Sequence, residues 1–178
     1  MRPRFTIPAA TCGALFVVCA ALQAQNPVAS AVRFMSAHAA RDLMDAADEM
    51  PADKYGYKPT PAQMGFGQVV LHVADGSAMM CGWIAGTKPP EAPKLTAEDG
   101  KEKLLARQKD AFAFCGSALA QVDDSKLADS IPFFGGRKMT RAAVMIILVD
   151  DLADHYSQEA IYLRLNGLLP PSAKRKEM

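Results

Sequence analysis

From Ala29 to Met50, apolar side chains recur at steps of three and four through Val32, Met35, Ala39, Leu43, Ala46 and Met50. That period marks an amphipathic helix. Pro51 stops it, and Lys54-Tyr55-Gly56-Tyr57-Lys58-Pro59-Thr60-Pro61 reads as an irregular connector. A second helix is predicted from about Phe66 to Ile84, with Val69, His72, Gly76, Met79 and Trp83 as its inward seam. Gly86 and Pro89-Pro90 close it. Beyond a proline-bearing loop, Thr96 is placed to cap a third helix over roughly 97–122, with Glu98 and Asp99 in its first turn. Leu105, Gln108, Phe112, Cys115, Leu119 and Val122 follow one side of it. After Asp123-Asp124-Ser125, the segment Ile131–Gly136 reads as an apolar loop with a short extended piece. Thr140 begins the fourth helix, which runs to about Leu165; Asn166-Gly167 stop it and Pro170-Pro171 prevent resumption.

Four long periodic segments without a strand alternation predict an all-α fold, a four-helix bundle. The longer connections, 51–65 and 123–139, leave room for a crossover in place of strict up-and-down order. The first half of the fourth helix, Val144 to Val149, is apolar all round and is expected to be well buried.

The ends of the chain change the picture. Arg2 and Arg4, an apolar stretch from about Ile7 to Leu22, and the small residue of Leu22-Gln23-Ala24 together describe a secretory signal peptide over residues 1–24. The apolar run is shorter than the ~20 residues of a membrane span. Val17-Val18 argue against Cys19 as a lipid acceptor. A single domain over 29–171 and a basic tail over 172–178 are then expected, with no transmembrane span in the mature chain. The whole chain carries 20 Lys and Arg against 19 Asp and Glu. Loss of Arg2 and Arg4 leaves 18 against 19, and a near-neutral chain has no electrostatic reason to bind nucleic acid. Lys174-Arg175-Lys176 reads as a solvated tail. Of four cysteines, only Cys81 and Cys115 lie outside the leader. In an oxidising compartment they are a candidate disulfide; the alternative is two buried thiols.

Candidate chemistry lies in the fourth helix, along Val144, Leu148, Asp151, His155, Gln158, Tyr162 and Leu165. A carboxylate and an imidazole at i and i+4 share one side, with Cβ atoms about 5–6 Å apart. An unpaired buried carboxylate is costly, so a partner is expected, and His72 on the second helix offers one. Two imidazoles and one carboxylate suit a divalent ion such as Zn²⁺, Fe²⁺ or Ni²⁺. The alternative is an Asp–His pair that satisfies itself inside a core. His38 reads as a polar residue flanking the first helix's stripe, and Asp75 as an outer acceptor or a solvated charge. Cys81, nine residues beyond His72, falls about half a turn round the helix and faces away from the site.

Two segments carry a family resemblance. Tyr55–Pro61, followed by Phe66-Gly67-Gln68-Val69-Val70-Leu71-His72-Val73-Ala74, resembles the entry to the second helix of DinB-like proteins. His155-Tyr156-Ser157-Gln158-Glu159-Ala160-Ile161-Tyr162-Leu163-Arg164-Leu165-Asn166-Gly167, ending in Pro170-Pro171, resembles their fourth-helix signature. The resemblance implies an up-down-down-up four-helix bundle, a frequent homodimer, and a metal site of one histidine from the second helix and two, four apart, from the fourth. His72 and His155 match that pattern, and Asp151 stands where the family usually has histidine. The implied cofactor is a divalent metal (Zn, Ni, Fe or Mn) at His72, Asp151 and His155, with a small-molecule substrate. Relatives include thiol-dependent transferases and isomerases and proteins described as metal-dependent hydrolases. Export argues against cytoplasmic thiol cosubstrates, which leaves an exported hydrolase- or transferase-like protein as the expectation. Its alternative is a non-catalytic structural or binding bundle whose metal site is degenerate. Glu159 is the nearest candidate for a separate general base, but reads more simply as a solvated charge.

Overall fold

The computed structural model of the protein describes residues 26–174; the expected leader and residues 175–178 lie outside them. Helix α1, Pro27–Glu49, starts on a proline, whose missing N–H is no loss in a first turn, and ends where Pro51 follows the Met50 cap. Helix α2, Phe66–Ala85, stops at Gly86, whose φ of 70° is a left-handed conformation that glycine adopts without strain. The third predicted helix is divided. Thr96 and Asp99 form a capping box over a 3₁₀ turn, Ala97–Asp99, and Gly100 (φ 89°) breaks the path. Helix α3 then runs Lys101–Leu119. Helix α4, Arg141–Leu165, is capped by Thr140, whose Oγ1 accepts from the Ala143 N–H at 3.3 Å. A last turn, α5, spans Pro171–Lys174.

The extended piece expected near 131–136 is one arm of a small antiparallel hairpin. Strand β1, Ser130–Pro132, pairs with β2, Lys138–Thr140, with Ile131 opposite Met139. Gly135 and Gly136, with φ of 68° and 73°, carry the turn between them.

Cross-helix bonds fix the direction of each helix. Arg33, early in α1, donates to the carbonyls of Leu119 and Val122 at the end of α3, while Lys101 at the start of α3 reaches the Asp48 carbonyl. Those two helices are antiparallel. Arg107 pairs with Asp75 and Cys115 with Cys81, so α2 and α3 run parallel. Arg141 at the start of α4 donates to the Ile84 carbonyl, and the Tyr162 hydroxyl near its end donates to Met64 at 2.9 Å, so α2 and α4 are antiparallel. The order is up-down-down-up, as the resemblance implies, with α1 against α3 and α4, and α2 against the same two. Among the described residues no helix is long and apolar enough to cross a membrane.

Leu43, Met50, Phe66, Ile84, Leu104, Met145, Leu148, Leu152 and Leu163 form the centre of the core. Cys81 and Cys115 are joined as a disulfide with Cα atoms 5.2 Å apart, stapling α2 to α3. The expected seams need correction at several places. Met35 and Leu165 are exposed, and Ile146 is 64 % exposed inside the stretch expected to be buried all round. In α2 the inward residues are Val69, Val70, Val73, Ser77, Met80, Cys81 and Ile84, while His72 and Met79 are exposed. The reason is that α2 packs on both α3 and α4, so its buried face is broader than one heptad seam and is turned toward α3.

Candidate metal centre

The facing surfaces of α2 and α4 place the three expected residues beside one another. His72 comes from the exposed edge of α2, and Asp151 and His155 from adjacent turns of α4. The two imidazole rings lie with centroids 5.0 Å apart and planes tilted by 40°. His155 is only 6 % exposed, whereas the Asp151 side chain is about one-third exposed at the rim.

His155 is held in one tautomer. Its Nδ1 lies 2.7 Å from the Asp151 carbonyl oxygen, which can only accept, so Nδ1 carries the proton. Nε2 of the neutral ring therefore keeps its lone pair, the form in which imidazole binds a metal. The Asp151 carboxylate stands 3.6 Å from the same Nδ1. Burial raises the Asp151 pKa above its ordinary value, and the neighbouring His155 and His72 oppose that shift.

Next to these residues is an open pocket of about 510 Å³, bordered by His72 and Asp151 together with Gln68, Met79 and Phe134. A larger groove of about 770 Å³, between α3 and the proline-bearing loop, includes none of the three. The donor types fit a divalent ion: two imidazoles, one with its free nitrogen defined, and a carboxylate at an accessible rim. Their spacing does not, as the side chains stand. Among the described residues no three His, Cys, Asp or Glu side chains are gathered closely enough to hold an ion.

The flanking residues divide. Cys81 is buried in its disulfide and takes no part, as its position on the helix implies. Asp75 borders the pocket but is bonded by Arg107, at 3.0 and 2.7 Å. His38 is exposed on α1 and lies 3.7 Å from Asp42, away from the pocket.

Glu159 overturns its expectation as a solvated charge. It is wholly buried, both carboxyl oxygens lack a hydrogen-bond partner, and desolvation lifts its pKa well above the usual carboxylate range. Its helical position gave the signal, since residues 148, 152, 155, 159 and 163 trace the truly buried line of α4. Phe134, a wall of the pocket, belongs to the hairpin, and sequence periodicity had no means of placing it there.

The bundle has counterparts among solved structures. A DinB-like protein from Bacillus subtilis superposes with a TM-score of 0.64 at 18 % identity, covering 76 % of this chain and 92 % of its own. One from Bacillus cereus gives 0.60 at 17 % identity, covering 75 % and 89 %. A mycothiol-dependent maleylpyruvate isomerase gives 0.60 at 10 % identity, covering 72 % of this chain but 59 % of its own. At such identities the likeness is one of fold. No curated protein matches in sequence. The family model of the DinB superfamily matches residues 35–158, which takes in α2 and α3, most of α1 and α4, and all three candidate ligands, and the chain belongs to that superfamily.

Proposed function

We propose that His72, Asp151 and His155 hold a divalent cation, Zn²⁺, Ni²⁺, Fe²⁺ or Mn²⁺, and that the protein is an exported enzyme with hydrolase- or transferase-like activity on a small molecule. The observation that carries this reading is the meeting of two imidazoles from different helices, 5.0 Å apart, beside a pocket that Asp151 also borders. A bound ion of this kind would supply Lewis acidity toward a carbonyl or a water.

The chain's own contributions follow from its geometry. The Asp151 carbonyl fixes the ring of His155, so one donor nitrogen is oriented in advance. The Asp151 carboxylate has to be ionised to act as a ligand; burial works against that form, and the adjacent imidazoles oppose the shift. His72, at the exposed edge, has rotamer freedom to turn toward them. Glu159 is buried in the core and does not border the pocket, so it is not placed to take a proton from a substrate there.

Export is supported by the sequence of residues 1–24 and by a disulfide, a bond that persists in oxidising compartments. The fold neighbour that is a maleylpyruvate isomerase supports the capacity of such a bundle to house an enzyme. Homodimerisation, which the family resemblance suggests, belongs to the same proposal and is tested by light scattering.

A second reading has its own observation. Because no three ligand side chains are gathered as they stand, the site can be a degenerate one in a non-catalytic bundle, its Asp–His pair serving structure. The deciding measurement is the metal content of protein purified without chelator or metal-binding tag, beside His72→Ala and His155→Ala. Near-stoichiometric metal, lost in both variants, supports the first reading. A wild type that cannot be loaded with any of the four ions leaves the second.

A further inference from the structure

The pocket between α2 and α4 has one-sided chemistry. Its polar lining is Gln68, His72, Asp75 and Asp151, and among the described residues no lysine or arginine borders it. Arg107 bonds Asp75 through Nε and Nη2, but its side chain borders the separate groove beside α3. With no metal bound, an incoming carboxylate would meet Asp151 and an Asp75 already paired with Arg107, and no lysine or arginine on the lining. Partial desolvation of that charge is then uncompensated.

The remaining wall is apolar, supplied largely by methionines 64, 79 and 80 and by Phe134. Phe134 is 40 % exposed yet braced. Trp83 meets its ring edge-on at 4.8 Å, Phe133 packs at 5.1 Å, and the Arg137 Nε donates to its carbonyl at 3.2 Å. An exposed aromatic held in this way offers a flat apolar surface at little entropic cost. Flexible methionines opposite it can adjust to the shape of a guest.

We propose that this pocket takes an uncharged molecule with a ring-sized apolar body, of the aromatic amide or ester type, and that without metal it rejects dicarboxylates. Its body packs on Phe134 and Met79, and its polar end lies at His72 and Asp151. The proposal rests on the reading of this pocket as the working site, but it concerns the pocket wall and not the ion.

The chain's single tryptophan, Trp83, touches the wall, which gives a direct optical readout. Benzamide, methyl benzoate and phthalate are titrated into the full protein by calorimetry and by Trp83 fluorescence, as purified and again after chelator treatment. The expected result is saturable binding of the two neutral probes and, after chelator treatment, none of phthalate at tenfold higher concentration. Phe134→Ala should weaken the neutral probes about tenfold. Gln68→Arg, at an exposed position on the rim, should create phthalate binding. Phthalate binding by the chelator-treated wild type as tight as that of the neutral probes overturns the proposal. So does a failure of both neutral probes, or their indifference to Phe134→Ala. Metal content is read separately, so neutral-probe binding by a protein that takes up no metal sinks the metal site alone.

Discussion

Glu159 sits where burial disfavours the charged carboxylate, and this has a measurable consequence for stability. The residue is fully buried on α4, neither oxygen has a hydrogen-bond partner, and burial raises its pKa well above the ordinary 4.5. The folded state therefore holds a proton at pH values where the unfolded chain has released it. For an acid shifted upward, stability is full below the unfolded pKa and falls as pH climbs from there toward the folded value. Within that window the loss is about 1.4 kcal/mol per pH unit. In a domain of this size that corresponds to a fall in Tm of roughly 3–6 °C per pH unit, at about 2–4 °C for each kcal/mol. Glu159→Gln removes the titration but keeps an unpaired polar group. Glu159→Leu also removes that group and should stabilise the fold by about 1–3 kcal/mol near neutral pH. The assay is urea denaturation at pH 5, 6 and 7, followed by Trp83 fluorescence and far-ultraviolet dichroism. The quantity of interest is the difference between wild type and Glu159→Gln, in which contributions from other groups cancel. The wild type should lose ground to the Gln variant with each step upward in pH. Parallel stabilities for the two proteins across that range would refute the reasoning, because they would mean that Glu159 ionises in the fold as readily as out of it.

Two further outcomes follow from the helix contacts. The disulfide closes a segment with a sequence separation of 34, so the double variant Cys81→Ala/Cys115→Ala should lose about 3–4 kcal/mol of unfolding free energy. Denaturation of the oxidised wild type and the variant checks this, and an unchanged transition would show that the packing of α2 on α3 alone sets their association. Asp151→His supplies the imidazole that the family resemblance implies at that position. It should raise affinity for Ni²⁺ or Zn²⁺ by tenfold or more in competition with a chromophoric chelator; equal affinities would remove Asp151 from the ligand set.

Much of the bundle is legible in the sequence because helix ends leave chemical marks. Pro51, Gly86, Thr140 and Asn166-Gly167 each lie at or within two residues of an observed boundary. The third helix was drawn too long because Gly100, within a charged stretch, carries no apolar period to reveal the break. The site was legible in part. His72 and His155 are brought together as expected, yet His72 was assigned to a core seam and lies on the exposed edge. A seam traced in steps of three and four can be drawn on α2 through His72 or one residue beside it, and only the position of α3 decides between them. The same ambiguity hid Glu159, since a glutamate on a helix is solvated far more often than buried. Ile146 errs in the opposite direction: an all-apolar turn implies burial only when a neighbour covers each side.

The direction of the helices has a consequence for the order of assembly. The start of α1 meets the segment that follows α3, where the N–H groups of Val28 and Ala29 donate to Asp124, 96 and 95 residues away. At the other end of α1, Lys174, beyond α4, reaches Glu49 across 125 residues. The middle of the chain is different, because α2 and α3 follow one another across the connection 86–100, and their disulfide spans a separation of only 34. Such near contacts form before distant ones, since closing a longer loop costs more entropy. The stapled middle pair is thus the natural seed, and the core stays half open until the final long helix arrives. A chain cut short before α4 would uncover the sides of α1 and α2 that α4 covers, including Phe66, whose ring meets Tyr162, and would be expected to collapse loosely and not to adopt a smaller version of this bundle.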